Sequence, residues 1–531
     1  MKIAIINTGG TISCVGDPLA PMSAVDFATA SEKILNPILK QQFPDIEITY
    51  LTSIVFPESS SKTLDSTNLQ PTDWCIMASG ILDNYADYDG FLVLHGTDSM
   101  DFTGAALPFL LNTFDENGNG TAVLSKPVII TGSQVPLYYQ ENSGTELTLN
   151  FNTDAYQNMC GAVASARTGV PEVGVYFQSQ LYRGNRVLKT NASEFNAFSS
   201  PNYPALAEYG VELRLFNENW LPGPVSDSVS LDNASVLAAQ QNVLASIVSN
   251  IDDFPVAQLN AFPARYSQSA ATAYMADMVS AIVGTGVTGL VLESYGEGNF
   301  PSGNPDSPSD GAIYKALNNA NDKGVNIVDC TQVIKGSVNN SAYASGAWLP
   351  KVGALSPADM TPMSALAKLM ILASVSDLNG WSREQLRALF QTNLAGEMSS
   401  VNYLDSRTNK ELMPGQFVST LDGSAKLTND QAAGPVLCVS GSDTPLWSLP
   451  DAPAAGDLPG RLVMQDDGNL VFYSRYNKAL WASNSGNPAG ASSKLILTGS
   501  YDTKTPAQSD LLLQVYNYSD STPSAVLYQT P

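Results

Sequence analysis

Short apolar runs alternate with longer amphipathic stretches from residue 1 to about residue 209. That alternation predicts parallel β-strands separated by crossover helices, which is an α/β fold. Five runs along the chain are each followed at once by small polar residues: KIAII, GFLVL, PVII, GVYF and GLVLES. Ligands bind at the carboxyl ends of strands in open α/β sheets, so the loops after these runs are the candidate site.

The pattern changes twice further along the chain. A second, smaller α/β unit is predicted, with helices near 270–283 and 311–322 and a third helix capped by Thr361. Beyond about residue 396 helical periodicity disappears, and short alternating runs separated by turn residues indicate an all-β region. We expect a large α/β domain, a small α/β domain, a linker or helix, and a β domain, at 1–215, 222–376, 377–404 and 405–531.

A weak internal repeat predicts how the last segment is built. Similar β units begin at AKLTND, GRLVMQDDGN and SKLILTG. Repeats of one supersecondary unit bury their apolar faces against one another. Three units therefore predict three small sheets packed with pseudo-threefold symmetry.

The composition restricts the kinds of partner that the protein binds and says little about its fold. A formal net charge of −24 counts against nucleic acid or an anionic membrane as the main partner. The five cysteines are scattered without a C-x-x-C pair, so we predict free thiols and no metal site. The apolar run at the N-terminus is too short for a signal-peptide core, and no run suits a membrane helix. We expect a cytoplasmic protein, with non-classical export as the alternative.

The single histidine, His95, restricts the chemistry. The sequence has no G-x-S-x-G, no H-E-x-x-H and no phosphate loop, and we interpret His95 as a structural residue at a strand end. Two threonines remain, each in a glycine-bearing loop directly after a strand: Thr11 in NTGGTIS and Thr97 in HGTDSM. Threonine becomes a nucleophile only beside a proton acceptor or cation. Nothing cationic adjoins Cys14 in sequence, so we do not expect it to be the nucleophile.

These two loops resemble the signatures of the asparaginase/glutaminase family, most closely its cytoplasmic, type I branch. Further similar segments are DSTNL, RGNRVLK, LESYGEGN and MTPMSALAKLM, and the resemblance extends from residue 1 to about residue 374. It implies the asparaginase-like fold, with parallel sheets in both α/β domains. It also implies hydrolysis of L-asparagine to L-aspartate and ammonia through a threonine acyl-enzyme, with glutaminase as a side activity. No metal or organic cofactor is called for, and a homodimer or homotetramer is expected.

The resemblance assigns catalytic roles to four residues. Thr11 matches the nucleophile of the family. Thr97, Asp98 and Lys189 make chemical sense as a relay in which the lysine activates a threonine hydroxyl and the aspartate orients the group. Asp98 also matches the group that binds the α-ammonium of the substrate, and we expect it to cap the following helix.

The resemblance also implies substrate-binding groups. Ser66 matches the residue that binds the α-carboxylate, and Thr67 stands beside it. Backbone N–H groups around Gly10, Thr11 and Thr97 would form an oxyanion hole, with Gly96 next to them. A residue from a neighbouring subunit completes the site in the family. The matching stretch GSVNNSAYASG offers Ser341 or Tyr343, and the sequence does not choose between them.

One departure from the family pattern stands out. Family members usually carry a tyrosine on the loop after the first threonine, but the loop SCVGDPLAPMSAVDF contains none. Either a tyrosine from elsewhere activates the nucleophile, or the site relies on Thr97, Asp98 and Lys189.

A second resemblance concerns the β domain, where five residues spell Q-x-D-x-N-x-V-x-Y: Gln465, Asp467, Asn469, Val471 and Tyr473. This motif is similar to the sugar site of bulb-type mannose lectins, and it implies a β-prism II lectin domain that binds a mannose-type glycan. We expect the motif to lie on one strand, where alternation points its polar side chains to one face and the valine gives an apolar contact for the sugar ring. The other two repeats lack the set, so at most one site is intact.

Two other functions compete with this interpretation. The chain could be a carbohydrate-binding protein whose amidohydrolase part is inactive, an alternative supported only by the missing loop tyrosine. It could also be an amidotransferase subunit that acts on an aminoacyl-tRNA. The acidic charge and the lack of an evident basic RNA-binding face count against that second alternative.

Overall fold

The computed structural model describes residues 1–116, 118–140, 146–338, 343–399, 402–406, 410–420, 424–439, 442, 444–486, 493–502, 505–517 and 523–530. Ten α-helices are found in this part of the chain: α1 Ala24–Ile34, α2 Asn36–Gln42, α3 Pro71–Asp83, α4 Met100–Leu111, α5 Asp154–Ala166, α6 Ala234–Asn250, α7 Tyr274–Gly284, α8 Ala312–Asp322, α9 Pro362–Asn379 and α10 Arg383–Phe390. None of these described helices is long and apolar enough to cross a membrane.

An eight-stranded sheet organises the N-terminal part. From one edge to the other its strands are Glu47–Tyr50, Lys2–Asn7, Gly90–Leu94, Val128–Thr131, Val173–Phe177, Gln180–Arg183, Ala207–Tyr209 and Leu213–Leu215. The first five are parallel, and the last three are added antiparallel. The parallel strands lie in the order 2-1-3-4-5. This order reverses between the first and third strands in sequence, which is where such sheets bind their ligands.

Helices cover both faces of this sheet because the strands are apolar on both sides. In strand Lys2–Asn7, Ala4 and Ile6 point into one core while Ile3 and Ile5 point into the other. This division follows from the period-2 alternation of side chains along a strand. Helices α3, α4, α6 and α9 contribute to the first core, and α1 and α5 to the second.

A three-stranded parallel sheet forms the smaller α/β unit, with strands Val256–Asn260, Gly289–Ser294 and Asn326–Thr331. Helices α7 and α8 pack on one face, and α9 and α10 pack on the other. The predicted helix α9 is capped by Thr361, whose Oγ1 accepts a hydrogen bond from Ser364 N at 3.2 Å. Helix α7 begins later than predicted because Thr272–Ala273 forms one strand of a short hairpin.

The C-terminal part consists of β-structure, as predicted. Each repeat supplies three consecutive antiparallel strands, and a short strand from residues 403–419 joins each group to make a four-stranded sheet. The three groups are Ala425–Asp430, Gly434–Val439 and Pro445–Ser448; Arg461–Met464, Leu470–Tyr473 and Ala479–Ala482; and Ser493–Thr498, Leu512–Asn517 and Ala525–Gln529. All three sheets contribute leucines to one shared core. The prediction of three sheets from three repeats is therefore confirmed.

We expect this region, called the tail (residues 402–530), to unfold separately from the enzyme part. Among the described residues, its core is built only from side chains between Leu404 and Tyr528. Replacing the fully buried Leu462 by alanine should destabilise the tail by about 2–5 kcal/mol and lower one calorimetric transition only. The matched change Leu107→Ala, in the core of the large sheet, should lower the other transition. A single transition that both variants lower equally would contradict this prediction.

Candidate active site

The two threonine loops leave the large sheet side by side. Strands Lys2–Asn7 and Gly90–Leu94 are paired in register, with Asn7 opposite Leu94. Just beyond the pair, Thr8 donates to the carbonyl of Leu94 through its backbone N–H at 3.0 Å and through its hydroxyl at 2.8 Å. The loops that carry Thr11 and Thr97 therefore start together, at the point where the strand order reverses.

Glycine allows these loops to touch. A Cβ on Gly10, which has φ +75°, would lie 2.3 Å from the Cα of Gly96, and a Cβ on Gly96 would lie 2.4 Å from Ser66 Oγ. On the opposite side a Cβ on Gly132 would lie 2.2 Å from the carbonyl oxygen of His95. Any side chain at these positions would push the loops apart. The glycines beside both threonines are thus required by packing.

Gly10 contributes packing rather than a donor. Its backbone N–H is used in a 2.9 Å hydrogen bond to the carbonyl of Leu64. This N–H, which the resemblance assigned to an oxyanion hole, is therefore already used within the fold. Thr11 follows at the start of a short 3-10 turn, Thr11–Ser13, and is partly exposed.

Thr97 lies at the centre of a hydrogen-bonded group. Lys189 Nζ donates to Thr97 Oγ1 at 2.9 Å and to Asp98 Oδ1 at 2.7 Å. An ammonium group can only donate, so the Thr97 oxygen accepts there and its own proton points to Gln134 Oε1 at 3.3 Å. The structure therefore brings together Thr97, Asp98 and Lys189, which the sequence placed in one relay.

Sequence reasoning did not single out Gln134. It lies in the loop TGSQVP after strand Val128–Thr131, which neighbours the strand that leads to Thr97. Its backbone N–H donates to Asp154 Oδ2 at 2.7 Å, and its side-chain amide donates to the carbonyl of Glu194 at 3.3 Å. A polar side chain at the carboxyl end of an adjacent strand was the available signal.

The start of helix α4 positions Asp98 and Lys189. Asp101, 4% exposed, accepts a 3.1 Å hydrogen bond from the backbone N–H of Lys189, and burial raises the pKa of its carboxyl. Asp98 does not cap the helix as predicted. The N-cap residue is Ser99, and the Asp98 carboxylate is paired with Lys189 instead. Because the Asp98 side chain is 54% exposed, this ion pair contributes orientation more than stability.

Ser66 is held against the same group. Its Oγ accepts from the backbone N–H of Asp98 at 3.2 Å, and its carbonyl accepts from Ser99 Oγ at 2.6 Å. The proton of the Ser66 hydroxyl is thereby available to an acceptor such as a carboxylate. Thr67 is exposed, and its N–H and hydroxyl both bond to Asp65 Oδ1, at 3.1 and 3.0 Å. That geometry is a local turn, so the structure favours Ser66 over Thr67 as the ligand group.

His95 and Cys14 lie close to these loops without being suited to catalysis. The His95 ring is fully buried, 2.7 Å from the carbonyl of Gly96 through Nδ1 and 2.8 Å from Thr103 Oγ1 through Nε2. A carbonyl can only accept, so Nδ1 carries the proton and Nε2 accepts from the threonine hydroxyl. Burial also raises the pKa of the Cys14 thiol to about 11, which leaves it protonated near neutral pH.

Of the two candidates for the residue that a neighbouring subunit contributes, the structure describes only Tyr343. Ser341 lies outside the described residues. Tyr343 is 57% exposed, and its carbonyl accepts from the backbone N–H groups of Gly346 and Ala347, both at 3.0 Å. The adjacent Ser345 donates to Asn299 Oδ1 at 2.8 Å. Tyr343 is thus anchored beside the loop that follows strand Gly289–Ser294.

The sugar motif of the tail lies on a hairpin and not on one strand. Strand Arg461–Met464 ends before Gln465, and strand Leu470–Tyr473 begins after Asn469. The Asp467-Gly468 pair makes the turn, with Gly468 at φ +85°, and an Asp-Gly pair is the sequence signal for such a hairpin turn. Cross-strand pairing still brings the ends of the motif together, since Gln465 Nε2 donates to the Tyr473 hydroxyl at 2.7 Å.

The other members of the motif differ in accessibility. Asp467 is exposed and accepts from the backbone N–H of Asn469 at 3.0 Å, while Asn469 is partly exposed and accepts from Ser483 Oγ at 3.1 Å. Val471 is only 3% exposed, so it can add little apolar contact to a ligand. The polar side chains and Tyr473 therefore make up the accessible part of this motif.

Comparison with known proteins agrees with the fold of the two α/β units. Two family models match the chain: "Asparaginase, N-terminal" over residues 2–221 and "Glutaminase/Asparaginase C-terminal domain" over residues 270–390. L-asparaginase 1 of Escherichia coli (strain K12) is 31% identical over 399 residues, which are 75% of this chain and 98% of that protein. The 60 kDa lysophospholipase of Mus musculus is 32% identical over 363 residues, which are 68% of this chain and 53% of that protein. The crystal structure of L-asparaginase I from Vibrio cholerae has a TM-score of 0.53 at 28% identity and covers 75% of this chain and 99% of that one.

Fold and site together define a hydrolase with two threonine loops at the switch point of an α/β sheet. The chain belongs to the asparaginase/glutaminase family and is an asparaginase-type enzyme with N-terminal and C-terminal asparaginase domains. The resemblance seen in the sequence is confirmed for this part of the chain. In the parts of the chain that the structure describes, no group of three or more His, Cys, Asp or Glu side chains is arranged to hold a metal ion.

The buried imidazole generates a pH prediction. Burial lowers the pKa of His95 to about 4, below its ordinary value of 6.5. As His95 is the only histidine, its ¹³Cε1 signal can be followed by NMR, and it should not titrate between pH 8 and pH 5. A titration with a midpoint near 6.5 would contradict the buried, neutral state.

The same shift links stability to pH. Between about pH 6.5 and pH 4 the unfolded chain binds a proton that the folded chain does not, so stability falls as the pH falls through this window, by about 3 kcal/mol in all. Denaturant unfolding of wild type and His95→Gln at pH 7 and pH 4.5 isolates this loss, because the carboxylates are common to both proteins. Wild type should lose more stability than the variant.

Proposed function

We propose that the chain hydrolyses L-asparagine to L-aspartate and ammonia through an ester formed on Thr11, with glutaminase as a side activity. The observation that carries the proposal is the contact of Lys189 Nζ with both Thr97 and Asp98, in a loop packed against the loop of Thr11. The Thr11 hydroxyl is uncharged, so it becomes a nucleophile only near a proton acceptor or a cation. Lys189 supplies a cation beside Thr97, in the neighbouring loop.

Substrate placement follows from the charges at this site. Asp98 presents a half-exposed carboxylate to the α-ammonium of asparagine, and Ser66 offers its hydroxyl proton to the α-carboxylate. These two groups fix one end of the substrate and leave its side-chain amide for the threonines. The oxyanion hole is assigned to the backbone N–H groups of Thr11 and Thr97, because that of Gly10 is already bonded to the carbonyl of Leu64.

The reaction proceeds in two steps. Thr11 Oγ attacks the side-chain amide carbon, the Lys189 ammonium gives a proton to the leaving nitrogen, and the C–N bond breaks to release ammonia. The Thr11 hydroxyl proton passes through Thr97 to the Lys189 amine, which restores the ammonium. Water then attacks the ester carbon, its proton returns to Thr11 Oγ, and aspartate is released. The loop tyrosine of the family has no counterpart in the stretch after Thr11, so activation is assigned to Thr97, Asp98 and Lys189.

An apolar surface supports self-association as a homodimer or homotetramer. Tyr295, Val333 and Ile334 lie exposed directly after two strands of the small sheet, at 37, 48 and 57% exposure, and Tyr343, further along the chain, is 57% exposed. Clustered apolar side chains on a surface mark sites of protein association.

Substituting the threonines tests the proposal directly. Thr11→Ala and Thr97→Ala should each lower kcat for ammonia release from L-asparagine by a factor on the order of 10³ or more, because each removes a member of one cooperating group. A coupled ammonia assay measures the rate. The tRNA-dependent alternative predicts ammonia release that depends on an aminoacyl-tRNA.

Thr29→Ala is the matched control, because this exposed residue on α1 bonds only to the carbonyl of Val25 within its own helix, at 2.8 Å. It should retain wild-type kcat. Lack of asparagine hydrolysis by the folded wild-type protein would overturn the proposal and favour an inactive amidohydrolase part.

For the tail we propose a β-prism lectin domain that binds a mannose-type glycan on the Gln465–Tyr473 hairpin. Three four-stranded sheets around one core support the architecture. The 2.7 Å hydrogen bond between Gln465 and Tyr473, with Asp467 and Asn469 beside it, supports the site, since adjacent sugar hydroxyls are bound by such polar pairs.

Retention on immobilised mannose provides the test. Asp467→Ala should abolish retention because it removes a charged acceptor from the site. Asp466→Ala removes an equally exposed carboxylate from the same turn and should leave retention intact. Equal retention of both variants, or no retention of wild type, would contradict a sugar site on this hairpin.

A further inference from the structure

The segment that joins the enzyme part to the tail contains an unusual buried ion pair. Lys368 of α9 and Glu397 are both completely buried and form a salt bridge. The Lys368 ammonium also donates to the carbonyls of Phe390 and Thr392, and the Glu397 carboxylate accepts from the backbone N–H groups of Leu394 and Ala395, at 3.0 and 2.7 Å. This pair folds residues 393–399, here called the support segment, into a fixed turn.

Carbonyl groups of the support segment accept hydrogen bonds from residues 183–186, which precede Lys189 in the chain. Asn185 Nδ2 donates to the carbonyl of Ala395 at 2.9 Å, and Arg186 Nε donates to the carbonyl of Gly396 at 2.9 Å. Arg183 Nη1 reaches the same Gly396 carbonyl at 3.4 Å. All three donors are at least 96% buried, so these bonds are made out of contact with bulk water.

A second set of contacts closes the arrangement. Asp359 accepts from Arg186 Nη1 at 2.9 Å and from Ser399 Oγ at 2.8 Å, which joins the far end of the support segment to the same arginine. Ser364 Oγ donates to the carbonyl of Asn185 at 2.6 Å. The short 3-10 turn Gly184–Arg186 is thus held from several directions, and Lys189 follows three residues later.

We propose that the support segment is a positioning element for the Lys189 ammonium. Among the described residues no hydrogen bond joins it to Thr11 or Thr97. It acts through the backbone of residues 183–187, because displacement of that turn would move Lys189 relative to Thr97 and Asp98, with which it makes bonds of 2.9 and 2.7 Å. Displacements of about 1 Å at distant supports can cost on the order of 100-fold in rate.

Gly396 offers the sharpest test. It has φ +79°, and a Cβ there would lie 2.4 Å from Arg183 Nη1, so Gly396→Ala should push the support segment away from the turn. Asn185→Ala is the second variant, and it removes the donor to Ala395 without adding bulk. Thr392→Val is the control in the same region. Its hydroxyl bonds only to the carbonyl of Ala388 within the preceding turn, at 2.9 Å.

The inference rests on the proposed function, so two readouts are needed. For ammonia release we expect kcat to fall about 10-fold or more in Gly396→Ala and Asn185→Ala, with KM changed less than about threefold, because positioning of a reacting group affects the transition state more than substrate binding. Hydrogen exchange followed by mass spectrometry reads the turn without any substrate. Amides of residues 184–189 should exchange faster in both variants and at the wild-type rate in Thr392→Val.

The outcomes separate the two proposals. An inactive wild type with faster exchange in the variants would overturn the asparaginase proposal and leave the support role standing. An active wild type whose Asn185→Ala variant keeps both kcat and the exchange rate of residues 184–189 would overturn the support role alone. If Gly396→Ala does not fold, the Asn185→Ala comparison with Thr392→Val decides the matter by the same two measurements.

Discussion

Contact between two glycine backbones is the constraint on which the site depends. Gly10 and Gly96 belong to loops that leave neighbouring parallel strands, and a Cβ on the first would lie 2.3 Å from the Cα of the second. The reversal of strand order alone would bring two loops near each other, but the missing side chains let them touch. Because Thr11 and Thr97 each follow one of these glycines, the separation of the two hydroxyl-bearing residues is set by backbone packing.

This close approach explains why the surrounding polar groups are so extensively bonded. Fixed loops keep the geometry of the site only if the cation beside them is also fixed. Lys189 comes from a hairpin 92 residues after Thr97. Its backbone is therefore tied to Asp101 at the start of α4, and its ammonium to Thr97 and Asp98. The side chains of Asp98 and Lys189 remain partly exposed, whereas Asp101, which holds the Lys189 backbone, is buried.

The sequence predicted features that depend on residues close together in the chain. It did not predict contacts between residues that are far apart in the chain. Apolar runs predicted the strands, including Gly90–Leu94 and Gly289–Ser294 with their bounds, because burial on both faces leaves a continuous signal. Lys189 was found only because a family resemblance marked it. Gln134 was missed because its role arises from an adjacent strand. The Gln465–Tyr473 motif was predicted to lie on one strand, but the Asp467-Gly468 pair forms a turn that interrupts the period-2 alternation.

Two lysines of the enzyme part differ in burial, and this difference separates a lysine that holds the fold from one that lies at the candidate active site. Lys368 is fully buried, its pKa is lowered by that burial, and its three donors are used by two carbonyls and the Glu397 carboxylate. Such an ammonium has no proton to offer a reaction, and its worth is in fixing the chain around it. Lys189 keeps 19% of its side chain exposed and has two protein acceptors among the described residues. Among the described residues its third donor has no acceptor, so of these two lysines only Lys189 keeps a proton that is not held within the fold.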